Sequence, residues 1–136
     1  MIAPHAGYVY SGRVAAAAFA TLRDRAASIT RVVLLRRVWG GTETLIVISS
    51  DLSHYHSYET ARRLDLATAT AIEHGNWASL GPDQAFGYLA VTGLLIETER
   101  RGLKARRLEL CNSGDTVGSR DQVVGYGAWL FGQTAS

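Results

Sequence analysis

Side chains able to transfer protons or bind metal ions are concentrated in three short segments of this sequence. Each segment mixes His, Asp or Asn with Ser, Gly or Tyr, a composition typical of polar loops. Ligands in α/β proteins gather at loops that follow strands, and the second and third segments each follow an apolar run. They are therefore expected to form one site. The segments are Pro4–Gly12, Ser49–His56 and Asn112–Thr116.

The spacing of Asp51 and His54 in the second segment suits acid/base catalysis. A carboxylate beside a histidine can orient the imidazole and raise its basicity, as a general base requires. The alternative is a turn in which the carboxylate accepts hydrogen bonds from nearby amides. We predict that both residues are catalytic, and that His56 is exposed to solvent.

Five further residues are candidates at the same edge. His5 lies in a strand-to-helix loop, where it is either a binding residue or a turn histidine bonded to local backbone. Tyr8 and Tyr10 could line a pocket through their rings and hydroxyls, or simply pack. Asn112 and Asp115 indicate a turn with backbone hydrogen bonds, and the secondary interpretation is that they line the pocket.

Apolar patterns predict helices and strands that alternate along the chain. Ser11 is the expected cap of the first helix, and Gly75 and Gly102 are expected to end the next two. This order predicts a layered α/β/α sandwich around a mostly parallel sheet. The predicted strands are Thr30–Leu35, Thr44–Ser49, Ala105–Cys111 and Val123–Phe131, and the predicted helices are Gly12–Ala26, Tyr58–His74 and Asp83–Arg101.

The composition indicates one packed domain spanning residues 1–136. Hydrophobic residues make up 47% and charged residues 19%, with no linker-like stretch. The apolar runs are shorter than the roughly 20 residues of a membrane span and no leader is evident, so we expect a cytoplasmic protein with no membrane association. The 14 Lys and Arg are scattered, which argues against nucleic-acid binding. The single cysteine, Cys111, excludes an internal disulfide.

Four motifs of the sequence are distinctive when taken together. They are Pro4-His5-Ala6-Gly7-Tyr8 with Tyr10-Ser11-Gly12, Val47-Ile48-Ser49-Ser50-Asp51-Leu52-Ser53-His54, Asn112-Ser113-Gly114-Asp115, and Val124-Gly125-Tyr126-Gly127-Ala128. In this order they resemble the Memo family, also called AmmeMemoRadiSam system protein B, over nearly the whole chain. The resemblance implies a fold like that of class III extradiol dioxygenases, in which two histidines and a carboxylate hold a non-haem iron and a further histidine transfers protons.

The resemblance implies a role for particular residues. In the Memo family it implies a pocket with two histidines and a cysteine near the metal position. His5 matches the first metal-site histidine, and His54 matches the acid/base histidine, with Asp51 beside it. A divalent metal such as iron, copper or zinc is the implied cofactor.

Two family positions are not matched. The Gly-Pro-Ser-His segment with the second histidine is absent, since Leu35 runs directly into Arg36, and Phe86 stands where the family has its cysteine. We therefore expect a domain shortened between Leu35 and Arg36 that holds metal weakly or not at all. Loss of strands and helices would expose apolar surface, so we also expect a homo-oligomer.

Three functions follow as hypotheses. The first is a Memo-like protein with a dioxygenase-like pocket that takes a small-molecule substrate, its reaction unassigned and its metal site incomplete. The second is a hydrolase in which Asp51 and His54 activate water, or Ser53 or Ser11 acts as nucleophile. The third is a non-catalytic interaction protein, which the presence of Phe86 favours.

Overall fold

The computed structural model describes residues 1–29, 31–34 and 44–133, without the side chains of residues 8 and 31–34. The predicted junction between Leu35 and Arg36 lies outside the described residues, so a shortened domain stays a prediction. The described strands are β1 (Ile2–Ala3), β2 (Arg31–Leu34), β3 (Thr44–Ser49), β4 (His54–His56), β5 (Lys104–Asn112) and β6 (Val123–Gly132), and the helices are α1 (Tyr8–Ala20), α2 (Tyr58–Glu73) and α3 (Tyr88–Arg100).

Strand β6 is hydrogen-bonded to three of the other described strands. It pairs antiparallel with β1, β4 and β5, whereas β3 pairs in parallel with β1 and β2. The α/β class is confirmed, but the expectation of a mostly parallel sheet is wrong, because the sheet is mixed and mostly antiparallel. The physical reason is the short link between β5 and β6, since a parallel crossover needs a dozen or more residues. That link contains only the 3-10 turn Ser113–Asp115.

Apolar side chains alternate between the two faces of the sheet and form a core on each. On one face, Ile2, Ile48 and Trp129 pack in a cluster with buried residues of α2 and α3. On the other face, Ala3 and Val47 pack with buried residues of α1. Helices therefore cover both faces, which is the layered arrangement that the sequence predicts.

The first helix begins earlier than predicted and does not use Ser11 as its cap. Gly7 is the N-cap residue, and the Ser11 hydroxyl donates to the carbonyl of Ala6 at 2.8 Å. This bond satisfies the hydroxyl inside the first turns of the helix. The expected cap is therefore wrong, because the backbone turns at a glycine before the serine is reached.

Glycines follow the ends of α2 and α3, as predicted. Gly75 has φ 69° and Gly102 has φ 65°, the left-handed conformation that glycine adopts without a Cβ clash. None of the helices in the described ranges combines the length and the apolar character that crossing a membrane requires.

The carboxyl ends of β1, β3 and β5 lie at the same end of the sheet as the beginning of β6. This follows from the antiparallel registers, in which Trp129 pairs with Ile2 and Gly125 pairs with Asn112. On the β1 side of β6, His54 of β4 pairs with Val124. The three polar segments therefore share one end of the sheet, as the sequence predicts.

Candidate functional site

Hydrogen bonds between the ends of β1 and β3 bring the first two polar segments together. Ala3 lies opposite Ser49 in the parallel register, and the amide of Ser50 donates to the carbonyl of Ala3 at 3.1 Å. Two residues after Ala3, the backbone amide of His5 donates to Oδ1 of Asp51 at 3.1 Å. The Asp51 carboxylate is thereby fixed against the loop that carries His5.

The imidazole of His5 lies between Asp51 and Ser49. Its Nε2 is 3.8 Å from Oδ2 of Asp51, and its Nδ1 is 3.1 Å from Oγ of Ser49. An ionised carboxylate can only accept hydrogen bonds, so it favours a proton on Nε2 and leaves Nδ1 to accept from the Ser49 hydroxyl. The expectation that Asp51 orients His54 is therefore wrong, because this carboxylate faces His5.

Sequence reasoning missed Ser49. A serine at a strand end is usually part of a turn, and it has no motif of its own here. The pairing of Ser49 with Ala3 places its hydroxyl beside the ring of His5. Strand register of this kind depends on tertiary pairing, so the pattern of residues alone does not reveal it.

The ring of His54 is oriented by the backbone. Its Nδ1 is 2.9 Å from the carbonyl oxygen of Leu52. A carbonyl can only accept, so Nδ1 carries the proton and Nε2 keeps a lone pair when the ring is neutral. A free Nε2 on an oriented ring is what a general base needs.

Phe86 lies between the two histidines. Its ring centroid is 6.2 Å from that of His5 and 6.1 Å from that of His54. The amide of Phe86 donates to the carbonyl of Asp51 at 3.2 Å, which fixes its position on the rim. Phe86 is 73% exposed, so its ring offers an open apolar face beside the two imidazoles.

The backbone that carries His54 is held from two sides. The amide of Leu52 donates to the carbonyl of Gly125, and the amide of Gly125 donates to the carbonyl of Ser53, both at 2.8 Å. From α2, Oδ1 of Asp65 accepts the Ser53 amide at 3.0 Å. A Cβ at position 125 would overlap the Asp65 carboxylate, so glycine permits this close approach. This arrangement fixes the Leu52 carbonyl to which His54 is bonded.

Asp65 is the most strongly perturbed acid at this end of the sheet. Burial raises the pKa of its carboxyl from 3.8 to about 6, against the opposing effect of the hydrogen bonds from Ser53. His56 and His54 oppose the rise in the same way when they are protonated. Only 2% of Asp65 is exposed, so its ionisation must occur largely out of contact with water.

The structure describes the side chain of only one of the two candidate tyrosines. Tyr10 is 42% exposed beside Gly7, whereas the side chain of Tyr8 lies outside the described residues and its role stays a prediction. The sequence did not single out Tyr126, which is buried. Burial, with the negative charge of Asp51 as the next cause, raises the pKa of Tyr126 to about 12, so its hydroxyl stays neutral.

Asn112 and Asp115 form the predicted turn. Oδ1 of Asn112 accepts from the amide of Gly114, and Oδ2 of Asp115 accepts from the amide of Asn112, each at 2.9 Å. The hydroxyl of Tyr58 donates to Oδ1 of Asp115 at 2.5 Å. Both residues line a cavity of about 150 Å³ between α2 and β5. His5, Asp51 and His54 do not line this cavity. The pocket that Asn112 and Asp115 help to form is therefore separate from the site around the two histidines.

The short strand β4 places His56 differently from expectation. His56 pairs with Val123 and is partly buried, so its predicted exposure is wrong. Between the two histidines of β4, Tyr55 has φ 60° and is 72% exposed. A positive φ is uncommon for a residue with a Cβ and indicates local strain at this edge.

The donor atoms at this site do not fit a three-ligand metal centre. In the described part of the chain, no group of three or more His, Cys, Asp or Glu side chains is placed to hold a metal ion. The ring of Phe86 lies between His5 and His54 and has no lone pair to donate. A facial-triad site needs about three protein ligands, more than the described side chains supply at this site.

Several known proteins similar to this chain are MEMO1 family proteins. A MEMO1 family protein of Aeropyrum pernix is 31% identical over 139 aligned residues, covering 92% of this chain and 48% of the relative. A MEMO1 family protein of Methanosarcina mazei is 34% identical over 95 residues, covering 65% of this chain and 36% of the relative. The chain thus spans about half the length of the first relative and about a third of the second. No protein-family model matches it.

Replacing Phe86 by Cys should strengthen metal binding, because a thiolate would then stand between two imidazoles. We expect zinc affinity to rise about tenfold or more, equivalent to about 1.4 kcal/mol of binding free energy. Calorimetric titration with zinc measures this, and Phe86→Ser is the matched control because it removes the ring without adding a thiolate. Equal affinities of the Cys and Ser variants, or submicromolar binding by the unaltered chain that depends on His5, would contradict it.

Replacing Asp65 by Asn should stabilise the protein at pH 8 and have little effect near pH 4. The raised pKa means that the protonated carboxyl contributes stability at low pH, which is lost as the pH rises through about 6. Asn keeps the acceptor for Ser53 and cannot ionise, so the gain at pH 8 is at most about 3 kcal/mol, from two pKa units. Urea unfolding at both pH values measures it, with exposed Asp83→Asn as control. An effect independent of pH would disprove this reading.

Proposed function

The chain belongs to the MEMO1 family, and from that premise we propose that its sheet end is a small-molecule site at which His54 transfers protons. The hydrogen bond from Nδ1 of His54 to the carbonyl of Leu52 carries the proposal. It holds the ring in one orientation and leaves Nε2 free to take a proton. The chain spans about half of its first relative, so the activity of the whole protein is part of the proposal.

The proposed reaction is hydrolysis with His54 as general base. His54 is partly buried, which leaves its ring within reach of water. Water would give its proton to Nε2 and attack a substrate held against the exposed ring of Phe86. His5 and Asp51 supply polar groups on the other side of that ring. We also propose that the protein is cytoplasmic.

The metal-dependent oxidation implied by the dioxygenase-like fold is supported less well. It needs donors in addition to His5, and the described residues supply no group of three. Residues 35–43, where the family's second histidine segment would begin, lie outside the described residues. The dioxygenase-like fold therefore stays a prediction.

Association of this chain with a second copy is a further part of the proposal. Apolar side chains are unusually exposed at this end of the molecule, where Phe86, Leu89 and Tyr55 are each more than 70% exposed. Large exposed apolar patches mark interaction surfaces more often than chance. A homo-oligomer would cover part of this surface, and a purely non-catalytic interaction role would use the same side chains.

Replacing His54 by Ala should lower hydrolysis of a simple chromogenic ester, p-nitrophenyl acetate, about a hundredfold or more. The reason is the loss of an oriented base with a free Nε2. Replacing His56 by Ala is the matched control, since that histidine lies two residues away in the same strand and should change the rate less than twofold. Circular dichroism establishes that both variants fold. Equal losses from the two substitutions would contradict the assignment of His54.

The self-association proposal predicts a concentration-dependent increase in mass. Sedimentation at micromolar concentrations should give a species larger than the 14.7 kDa monomer. Leu89→Ser should shift the distribution towards monomer, because it removes an apolar side chain that is 72% exposed and leaves the ring of Phe86 in place for substrate. A clean monomer at every concentration would disprove self-association.

A further inference from the structure

We propose that Ser49 is a nucleophile, activated by a relay of His5 and Asp51, that hydrolyses small carboxylic esters through an acyl-serine intermediate. The inference rests on the proposed function in one respect, because both need a substrate at the same end of the sheet. It adds a covalent step and assigns a reacting atom, Oγ of Ser49. Three side chains would carry the reaction: those of Asp51, His5 and Ser49.

The carboxylate of Asp51 is fixed before any substrate binds. Its side chain is only 7% exposed, and Oδ1 accepts the backbone amide of His5. The other oxygen, Oδ2, faces Nε2 of the His5 ring at 3.8 Å. This distance exceeds a hydrogen bond, and such contacts commonly shorten when substrate binds a catalytic site.

The ring of His5 is oriented so that its second nitrogen meets the serine. When the nearby carboxylate favours a proton on Nε2, Nδ1 accepts from the hydroxyl of Ser49, 3.1 Å away. This is the protonation pattern of a Ser-His-Asp relay, with the two ring nitrogens in exchanged roles. The His5 side chain is 47% exposed and Ser49 is partly buried, so a small substrate can reach both.

The neighbouring serines are engaged differently. The hydroxyl of Ser11 donates to the carbonyl of Ala6, and that of Ser50 donates to the carbonyl of Asp51 at 2.7 Å. Ser50 and Ser53 are almost completely buried. Among these four serines, Ser49 alone has its hydroxyl on a histidine nitrogen in the described contacts.

The chemistry balances with water and an ester as the only reactants. Oγ of Ser49 attacks the ester carbonyl carbon while its proton passes to Nδ1 of His5. The bond from carbon to the alkoxy oxygen then breaks, and the leaving alcohol takes that proton. Water then attacks the acyl-serine as its proton passes to Nε2 of His54, the bond from carbon to Oγ breaks to release the carboxylic acid, and the proton returns through water to Oγ of Ser49.

The surroundings favour an ester with an aromatic or apolar group. The exposed ring of Phe86 lies 6.2 Å from the ring of His5, so such a group can pack on it while the carbonyl reaches Ser49. Helix α1 begins at Tyr8, three residues after His5, and the amide of Tyr10 in its first turn already donates to the carbonyl of Gly7 at 2.8 Å. The two amides before it, those of Tyr8 and Val9, are the candidate donors for the developing oxyanion.

Labelling with a fluorophosphonate probe, which reacts covalently with activated serines, tests the proposal. Intact mass and peptide mapping should show one adduct on Ser49. Ser49→Ala should abolish it, and His5→Gln should slow labelling about a hundredfold or more. The exposed control Ser79→Ala should label at the original rate. Because His5 is a surface side chain, His5→Gln tests the relay even if a change at Ser49 disturbs β3.

Absence of an adduct, an adduct on another residue, or an unchanged rate in His5→Gln would overturn the nucleophile. Turnover of p-nitrophenyl acetate in His54→Ala separates this result from the proposed function. Turnover that depends on His54 with no Ser49 adduct sinks only the nucleophile. A Ser49 adduct with turnover indifferent to His54 keeps the nucleophile and removes the role of His54.

Discussion

The position of every histidine at the site depends on the hydrogen bonding of β6. One strand pairs with β4 at His54, with β5 at Asn112 and with β1 at Ile2. Strand β1 pairs in turn with β3. The backbone of β6 therefore positions both the loop that contains His5 and the loop that contains His54. A shift in the β6 register would therefore separate the two histidines even if each loop kept its local structure.

A connected set of hydrogen bonds holds the rim of the sheet beside Phe86. The amide of Gly87 donates to Oγ of Ser50, whose hydroxyl donates to the carbonyl of Asp51, and the amide of Phe86 donates to that same carbonyl. Buried polar groups that all find partners hold one conformation, because breaking any bond leaves an unsatisfied group. The backbone at Phe86 is thus anchored although its ring is exposed, which lets an apolar face sit between polar side chains.

Local signals in the sequence were enough for the α/β class, for the glycines after two helices and for the grouping of polar loops at strand ends. Each of these follows from propensity or from the connection of neighbouring elements. The direction of β5 and β6 could also have been read, since the ten residues from Ser113 to Gln122 are too few for a parallel crossover. The prediction that Ser11 is the N-cap residue was wrong, because the helix begins one turn earlier with Gly7 as its N-cap.

Side-chain partners within the site were beyond sequence reasoning. Asp51 is three residues from His54 in the chain, yet its carboxylate meets His5, which is 46 residues away in sequence. Parallel pairing of β1 with β3 decides this, and the same pairing places Ser49 against the His5 ring. The spacing of residues in the sequence predicts contacts only within one segment. The contacts of His5 with Asp51 and Ser49 join two segments that are far apart in the sequence.

The two imidazoles have opposite nitrogens free, and this difference defines what each can do. In His54 a backbone carbonyl holds the Nδ1 proton, so Nε2, at the far end of the ring, is the basic atom. In His5 a carboxylate faces Nε2, so the basic atom is Nδ1, next to the backbone and against Ser49. A basic Nε2, at the outer end of the ring, can take a proton directly from water or substrate. A basic Nδ1 that faces a serine hydroxyl instead takes the proton of that hydroxyl and so activates its oxygen. With Phe86 between them, the two rings are suited to different proton transfers on one substrate, and neither needs to share a ligand with the other.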